Sequence, residues 1–256
     1  VLSGNVEVGS DALAEIDSER RSAISRAHTA THMVHKAFRE ILGETATQAG
    51  SENSPGRFRF DFPATGAVSA SVLDDVESRV NTLLLDNLEV VAESMSQAQA
   101  KEIGAMALFG EKYGDVVRVV SVGDWARELC GGTHVERSGQ LGVVKLLGES
   151  SIGAGVRRVE ALVGVDAYKF LAREHILLNS LTDLIKGSRA EELPERISEL
   201  LNKMKEIEKE LTAVRSAQAL SQVGDLAKSA TTINGHTFIG SVMSDGVSGD
   251  DLRKIA

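Results

Sequence analysis

The chain has 256 residues, 42 % of them hydrophobic and 25 % charged, with a net charge of −9. These are ordinary values for a globular protein of one or two domains, and the negative balance argues against a general nucleic-acid binder. Aromatics make up only 4 % while glycines number 24, so the core is expected to be aliphatic and the turns tight.

The opening VLSGNVEVGS lacks both a charged n-region and an apolar h-region, which excludes a signal peptide reading. It also lacks an initiator Met, and the tail DDLRKIA shows no helix stop, so both ends read as cuts within a longer protein. Residues 1–17 suggest short strands and turns, with Gly4 and Gly9 around an alternating NVEV. A helix is predicted from Ser18 to Leu42, with apolar Val34, Phe38, Ile41 and Leu42, and Gly43 as its stop. RFRFDFP at 57–63 alternates strictly and ends on Pro63, the pattern of a half-buried strand with one basic face. Helical periodicity returns at 71–89 through Val72, Val76, Val80, Leu83 and Leu84. EVVAESM then reads as a strand, QAQAKEIGAM as a short helix, and DVVRVVSVG as a strand. ELCGGTHV ends in a glycine-rich turn, and LGVVKLLGES and GVRRVEALVG are two further strands. This order predicts an α+β fold, a two-layer domain of mixed sheet and helices over 1–165.

Residues 166–188 and 194–220 read as two helices bracketing a turn at Gly187 and Pro194, an antiparallel hairpin within a linker over 166–224. Ile197, Leu200, Met204, Ile207, Leu211 and Val214 are spaced 3, 4, 3, 4, 3, a heptad seam. The preceding helix is expected to cover it with Leu171, Ile176, Leu177, Leu181, Leu184 and Ile185, leaving the chain monomeric. TTINGHTFIGSVM reads as a β-hairpin turning at Asn234-Gly235, the truncated start of an α/β domain over 225–256.

Two pairs of residues carry the chemistry. His28 and His32 stand four apart on the first helix, so their imidazoles share one face. Cys130 and His134 are also four apart, across Gly131, Gly132 and Thr133, and the glycines let the backbone wrap both onto one ion. Together they form a His₃Cys set suited to tetrahedral zinc. His35 is a rival ligand: at about 100° per residue it lies only about 20° from His28 around the helix, and spacing leaves that choice open. The lone Cys130 cannot form an internal disulfide, so the expected compartment is reducing and cytoplasmic. Ser151 to Arg158, a glycine-rich loop with two basic residues, is either a phosphate cradle or a plain turn between strands. The face Arg57, Arg59, Asp61 reads as a solvated strand face.

The segments HTATHMVHKAFREILG, RFRFDF, KEIGAMALFGEKYGDVVRVVSVG and ELCGGTHVERSGQLGVVKLLGESSIGAGVRRVEALVG, in that order, resemble the editing domain of the alanyl-tRNA synthetases. The likeness covers nearly all of 1–165, and the later helices and hairpin resemble that enzyme's C-terminal region. The resemblance implies zinc held by His28, His32, Cys130 and His134, with His35 outside the ligand set. It implies hydrolysis of the ester joining serine or glycine to the 3′ end of alanine tRNA. It also implies active-site roles for Thr31, Gln48 and Arg157. Two other readings fit the same motifs: a free-standing aminoacyl-tRNA deacylase and a non-catalytic zinc module that docks tRNA. Residues 1–165 hold 16 Lys/Arg against 23 Asp/Glu, so phosphate attraction is expected only at local basic spots.

Overall fold

Twenty-five consecutive residues without Pro or Gly, opened by an aspartate and closed by a glycine, make the longest element of the first half. Helix α1 (Ser18–Leu42) begins where the Asp17 carboxylate accepts the Arg20 backbone N–H at 2.8 Å. It ends where Gly43, at φ +101°, donates its N–H to the Arg39 carbonyl. In the computed structural model, which describes residues 4–5, 7–107, 113–185, 189–221, 223–242, 247 and 249–255, α1 is the central support of the fold. Ala27, Ala30, Met33, Val34, Ala37 and Phe38 are fully buried along it, too wide a stripe for a surface helix.

Two antiparallel sheets lie beside it. The first has the order β1-β2-β7-β6, formed by β1 (Gly50–Ser54), β2 (Arg57–Pro63), β6 (Val144–Gly153) and β7 (Val156–Val163). The RFRFDFP alternation puts Phe58, Phe60 and Phe62 on the buried face of β2, where the ring of Phe38 of α1 packs tilted, 4.7 Å from that of Phe62. Each such ring contributes about 1.5–3 kcal/mol by leaving water. Helix α2 (Ala70–Leu85), capped by Ser69, adds Val76, Val80, Leu83 and Leu84 to the same core. Glu77 and Asn81 of α2 tie it to β6 through the backbone of Leu146 and Val144.

The second sheet has the order β3-β4-β5, from β3 (Val90–Ser96), β4 (Val116–Val122) and β5 (Ala126–Leu129). Helix α3 (Gln97–Glu102), opened by a Ser96–Gln99 capping box, packs on it over a small core of Ala100, Val117, Val119 and Leu129. Val122 and Ala126 of this sheet belong instead to the main core.

The chain divides into two compact units, Val1–Glu174 and His175–Ala256, with α4 (Val165–Leu184) crossing the division. The second unit contains α5 (Leu193–Ser221), α6 (Val223–Lys228), a hairpin of β8 (Thr231–Ile233) and β9 (His236–Phe238), and α7 (Gly249–Ile255). Asn234 (φ +52°) and Gly235 (φ +80°) occupy the two central positions of that hairpin's turn, which requires left-handed backbone at both.

The α+β class and the strands and helices predicted over 57–163 are present, and all ladders between named strands are antiparallel; two expectations are corrected. Among the described residues of 4–17 no strand forms, and Val6 of the NVEV stretch lies outside them. The seam is not covered: Ile197, Leu200, Met204, Ile207, Leu211 and Val214 are 41–62 % exposed, and Ile176, Leu177, Leu181 and Leu184 are 46–78 % exposed. Heptad spacing fixes which residues share a helix face but not what packs against it, so the premise for expecting a monomer is absent. Gly187, expected at the turn between the two helices, and residues 108–112 of the KEIGAMALFGEKYG segment lie outside the described residues.

Candidate metal centre

The paired spacings bring together side chains from two distant places in the sequence. His28 and His32 project from α1, and Cys130 and His134 from the loop that leaves β5. One donor atom from each of the four lies within 4.8 Å of every other. Cys130 Sγ is 3.4 Å from His28 Nε2 and 3.4 Å from His134 Nε2. Ligands of a tetrahedral zinc at 2.0–2.3 Å stand about 3.3–3.8 Å from one another, so those two contacts already have the right span. The residues fit the ion by donor chemistry too: three imidazoles and a thiol, with no competing hard oxygen ligand among them.

Local structure explains why the four converge. Arg118 of β4 donates through Nη1 to the carbonyls of Cys130 and Gly132 at 2.7 and 2.8 Å, clamping the loop. A Cβ at Gly132 would sit 2.1 Å from Cε1 of His28, so only glycine lets the loop pass under that ring. Gly131 has no neighbour within 4 Å of a built Cβ, so steric demand falls on one glycine of the pair.

Electrostatics keep the cluster polarised. Burial works against a charged His32 ring, but the Glu128 carboxylate beside it and the Cys130 sulfur push its pKa up to about 10. Burial likewise opposes the Cys130 thiolate, yet hydrogen bonds from His134, His28 and His32 bring the thiol down to about 3. Glu128 is driven upward by burial and held well below the usual carboxylate range by His32 and His35. His134 is lowered, first by burial and then by the neighbouring histidines, against its bond to Cys130. The His32 and Cys130 shifts both favour a thiolate facing an imidazolium in the metal-free protein, a pair whose ring proton a soft cation would replace.

The other predicted residues fall in different places. His35 is outside the four: fully buried, it lies with Nδ1 2.8 Å from Glu128 Oε1 and packs 5.2 Å from the Phe60 ring. Thr31 is buried at 2 % exposure and bonded, its hydroxyl 3.0 Å from the Ala27 carbonyl and 2.8 Å from Asn53 Oδ1. A hydroxyl has one proton for two acceptors; turning the Asn53 amide over would present an N–H and satisfy both contacts. Gln48 is half-buried between α1 and β1, with no side-chain hydrogen bond among the described residues. Arg157 is held on both Glu149 oxygens at 2.5 Å, and Arg158 on both Asp61 oxygens at 2.7 and 2.9 Å. The Ser151–Arg158 segment is thus a tight β6–β7 turn at Gly155 (φ +74°) with both guanidinium groups paired across the sheet. Arg57 and Arg59 are likewise paired, with Glu160 and Glu52.

Sequence reasoning passed over Thr29, Asn53, Arg118 and Glu128. Thr29 left no distinguishable signal beside Thr31, because both sit in THTATH-like polar company on a buried helix. Glu128 had one: a charged residue at an inward position of a strand, two residues before the predicted cysteine ligand.

Residues 117–160, which carry Cys130, Glu128 and His134, match the family described as threonyl and alanyl tRNA synthetase second additional domain. The α1 histidines lie outside the matched stretch. Along its whole length the chain aligns with alanine–tRNA ligases: it is 65 % identical over 256 residues to that of Nocardioides sp., covering 100 % of this chain and 28 % of the relative. It is 57 % identical over 257 residues to that of Acidothermus cellulolyticus and 56 % over 256 residues to that of Parafrankia sp., each covering 100 % of this chain and 29 % of the relative. The chain therefore spans under a third of the length of these relatives.

Proposed function

We propose that residues 1–165 form a zinc-dependent editing domain that hydrolyses the ester of serine or glycine on alanine tRNA. The observation that carries this reading is the convergence of His28, His32, Cys130 and His134 within 4.8 Å, in a chain similar throughout to alanine–tRNA ligases. Residues 166–224 are then a helical linker and 225–256 part of a further domain. A reducing cytoplasm suits a function that needs Cys130 as a free sulfur ligand.

Bound there, zinc would supply a positive centre for the amino group, the carbonyl or a water of an activated ester. The chain's own residues set what that centre meets. Water adds to the ester carbonyl, the bond to the ribose oxygen breaks, and the products are the free amino acid and a tRNA hydroxyl. Thr31, one residue before a ligand, and Asn53, bonded to it at 2.8 Å, supply the hydroxyl and amide that order the water or the carbonyl oxygen. Arg157 acts through the strand pair it braces with Glu149, and Gln48 acts from the loop before β1. The 3′ end of the tRNA is the partner, with bulk affinity supplied elsewhere, because this chain carries a net −9.

A second reading has one observation in its favour. Four protein donors close a tetrahedral ion, the pattern of structural rather than catalytic sites, so the zinc would then only shape a docking surface for tRNA. Timed release of serine from serine-charged alanine tRNA separates the two. Hydrolysis that is abolished by His32→Ala and Cys130→Ala supports editing; tRNA binding without any ester cleavage refutes it.

A further inference from the structure

Behind the four-donor cluster lies a second, fully interior arrangement. Glu128 sits on β5 two residues before Cys130, and its side chain is 5 % exposed. Its backbone is fixed on both sides: it pairs with Val120 of β4 and forms a bridge with Met106. Each carboxylate oxygen faces one imidazole. Oε2 is 2.6 Å from Nδ1 of His32, and Oε1 is 2.8 Å from Nδ1 of His35. His35 cannot move away, because it is fully buried and packs 5.2 Å from Phe60.

An imidazole has two nitrogens, and a half-turn about its Cβ–Cγ bond puts a ring carbon where each nitrogen stood at little intrinsic cost. A histidine that binds metal needs one edge committed elsewhere so that the other carries a lone pair in the right direction. Glu128 can meet that need for His32: a hydrogen on Nδ1, 2.6 Å from the carboxylate, would leave only Nε2 for the cluster. His35 fills the second oxygen and stops the carboxylate from rotating off His32. The rival ligand suggested by helical spacing is thus built into the support of the ligand.

We propose that Glu128 is the positioning residue of the metal centre, fixing the tautomer and ring direction of His32, with His35 as its brace. This rests on the reading of the four-donor cluster as a zinc site. It explains why a carboxylate stands in the core with no Lys or Arg bonded to it among the described residues. A buried charge needs compensation, and here the two imidazoles at 2.6 and 2.8 Å provide it.

The test uses the whole chain, zinc-loaded, in two measurements. Nitrogen-15 correlation spectra of the imidazole rings report which nitrogen of each histidine carries hydrogen. Hydrogen on Nδ1 of both His32 and His35 is expected, and hydrogen on Nε2 of His32 overturns the proposal with no variant needed. Competition with a chromogenic chelator then gives zinc affinity for wild type, Glu128→Gln and His35→Phe. Removing a partner of this kind typically weakens metal binding about 10–100-fold. Glu128→Gln should fall in that range, because an amide has one oxygen for two N–H groups. His35→Phe should lose less, in the same direction. If wild type holds zinc and Glu128→Gln binds it equally tightly, Glu128 does not position the ligand. If wild type holds no zinc at all, the zinc reading itself fails, and the two failures are told apart by that first row of data. Should Glu128→Gln fail to fold, the wild-type ring spectra alone decide.

Discussion

Replacing Thr29 by Val should loosen the metal centre without touching a ligand. Thr29 is fully buried on α1, and its hydroxyl is 3.0 Å from the Ser25 carbonyl, 3.1 Å from His134 Nδ1 and 3.2 Å from the Val135 backbone N–H. A hydroxyl has one proton and two lone pairs. With the proton on the Ser25 carbonyl, both lone pairs accept, one from Val135 N–H and one from His134 Nδ1–H. In the zinc-loaded protein that assignment would leave the Nε2 lone pair of His134 for the ion, on the ring edge 3.4 Å from Cys130 Sγ. Val matches Thr in shape and in stiffness on a helix, so the substitution removes one oxygen and orphans two donors. Each orphaned buried donor costs about 1–3 kcal/mol. His134 and Val135 are only half-buried, so the sum should fall at about 2–4 kcal/mol. Thr29→Ser, which keeps the hydroxyl and drops a methyl, should cost about 1 kcal/mol. Urea unfolding of the zinc-loaded protein measures both, and chelator competition should show zinc held about 10–100-fold more weakly by the Val variant alone. A Val variant with wild-type midpoint and wild-type zinc affinity would refute the role of this hydroxyl.

Gly132→Ala should displace His28 and lower zinc content while far-ultraviolet circular dichroism stays unchanged, because the added methyl would meet Cε1 at 2.1 Å; Gly131→Ala, with open space around it, is the matched control. In the metal-free protein, against burial in both cases, hydrogen bonds from the histidines bring the Cys130 thiol down to about 3 and the Glu128 carboxylate pushes His32 up to about 10, so near pH 7.5 the thiol has already lost its proton while His32 still holds one to lose on binding. Calorimetry in buffers of different ionisation enthalpy should therefore show about one proton released per zinc, with affinity rising roughly ten-fold per pH unit from 7 to 9; affinity flat over that window would contradict the imidazolium. Thr31→Val and Gln48→Ala should slow deacylation of serine-charged alanine tRNA, on the order of 10²–10³-fold for a group that stabilises the oxyanion, at unchanged zinc content. Wild-type rates in both variants would remove them from the chemistry.

Helix α1 was legible to the residue at both ends because Asp17 and Gly43 are explicit stop signals and no tertiary contact competes with them. The strand RFRFDFP was legible because alternation by twos has one meaning when the apolar member is always Phe. Strand β1 was not, since GSENS has no apolar residue; it is a strand only because β2 offers it a ladder through the Pro55-Gly56 turn, with Gly56 at φ +69°. The four cluster residues could be read from spacing, because a helix repeat and a glycine-rich turn each impose geometry on residues four apart. Their supports could not. Thr29 and Glu128 act between segments about 95–105 residues apart, Arg118 reaches from β4 to a loop 14 residues further on, and no local pattern encodes which threonine of the two in α1 meets a loop from the other sheet. The packing of α5 failed for the same reason: a seam states what a helix can bury, and its partner is a tertiary fact.

The position of the cluster follows from what holds the second sheet in place. Its own core has four buried side chains, Ala100, Val117, Val119 and Leu129, worth on the order of 10 kcal/mol at most. Ordering three strands and their turns costs about 1–2 kcal/mol for every residue fixed, so this sheet cannot stand by itself. It depends on its attachments. Val122 and Ala126 enter the main core, Trp125 reaches Glu40 at 2.7 Å, and Glu128 meets His32 and His35 on α1. Cys130 and His134 extend the same line of contacts beyond the end of β5. The candidate metal centre therefore occupies the free end of a joint that is already clamped along β5. A ligand that binds only the folded arrangement adds its binding free energy to that arrangement, so an ion at this point would tighten the joint as well as serve chemistry. The two roles place the same demand on the sequence, which is to fix the β5 loop against one face of α1. Thr29 and Glu128 bear on it at different ligands, Thr29 3.1 Å from Nδ1 of His134 and Glu128 2.6 Å from Nδ1 of His32, each on the ring nitrogen that would leave Nε2 for the ion.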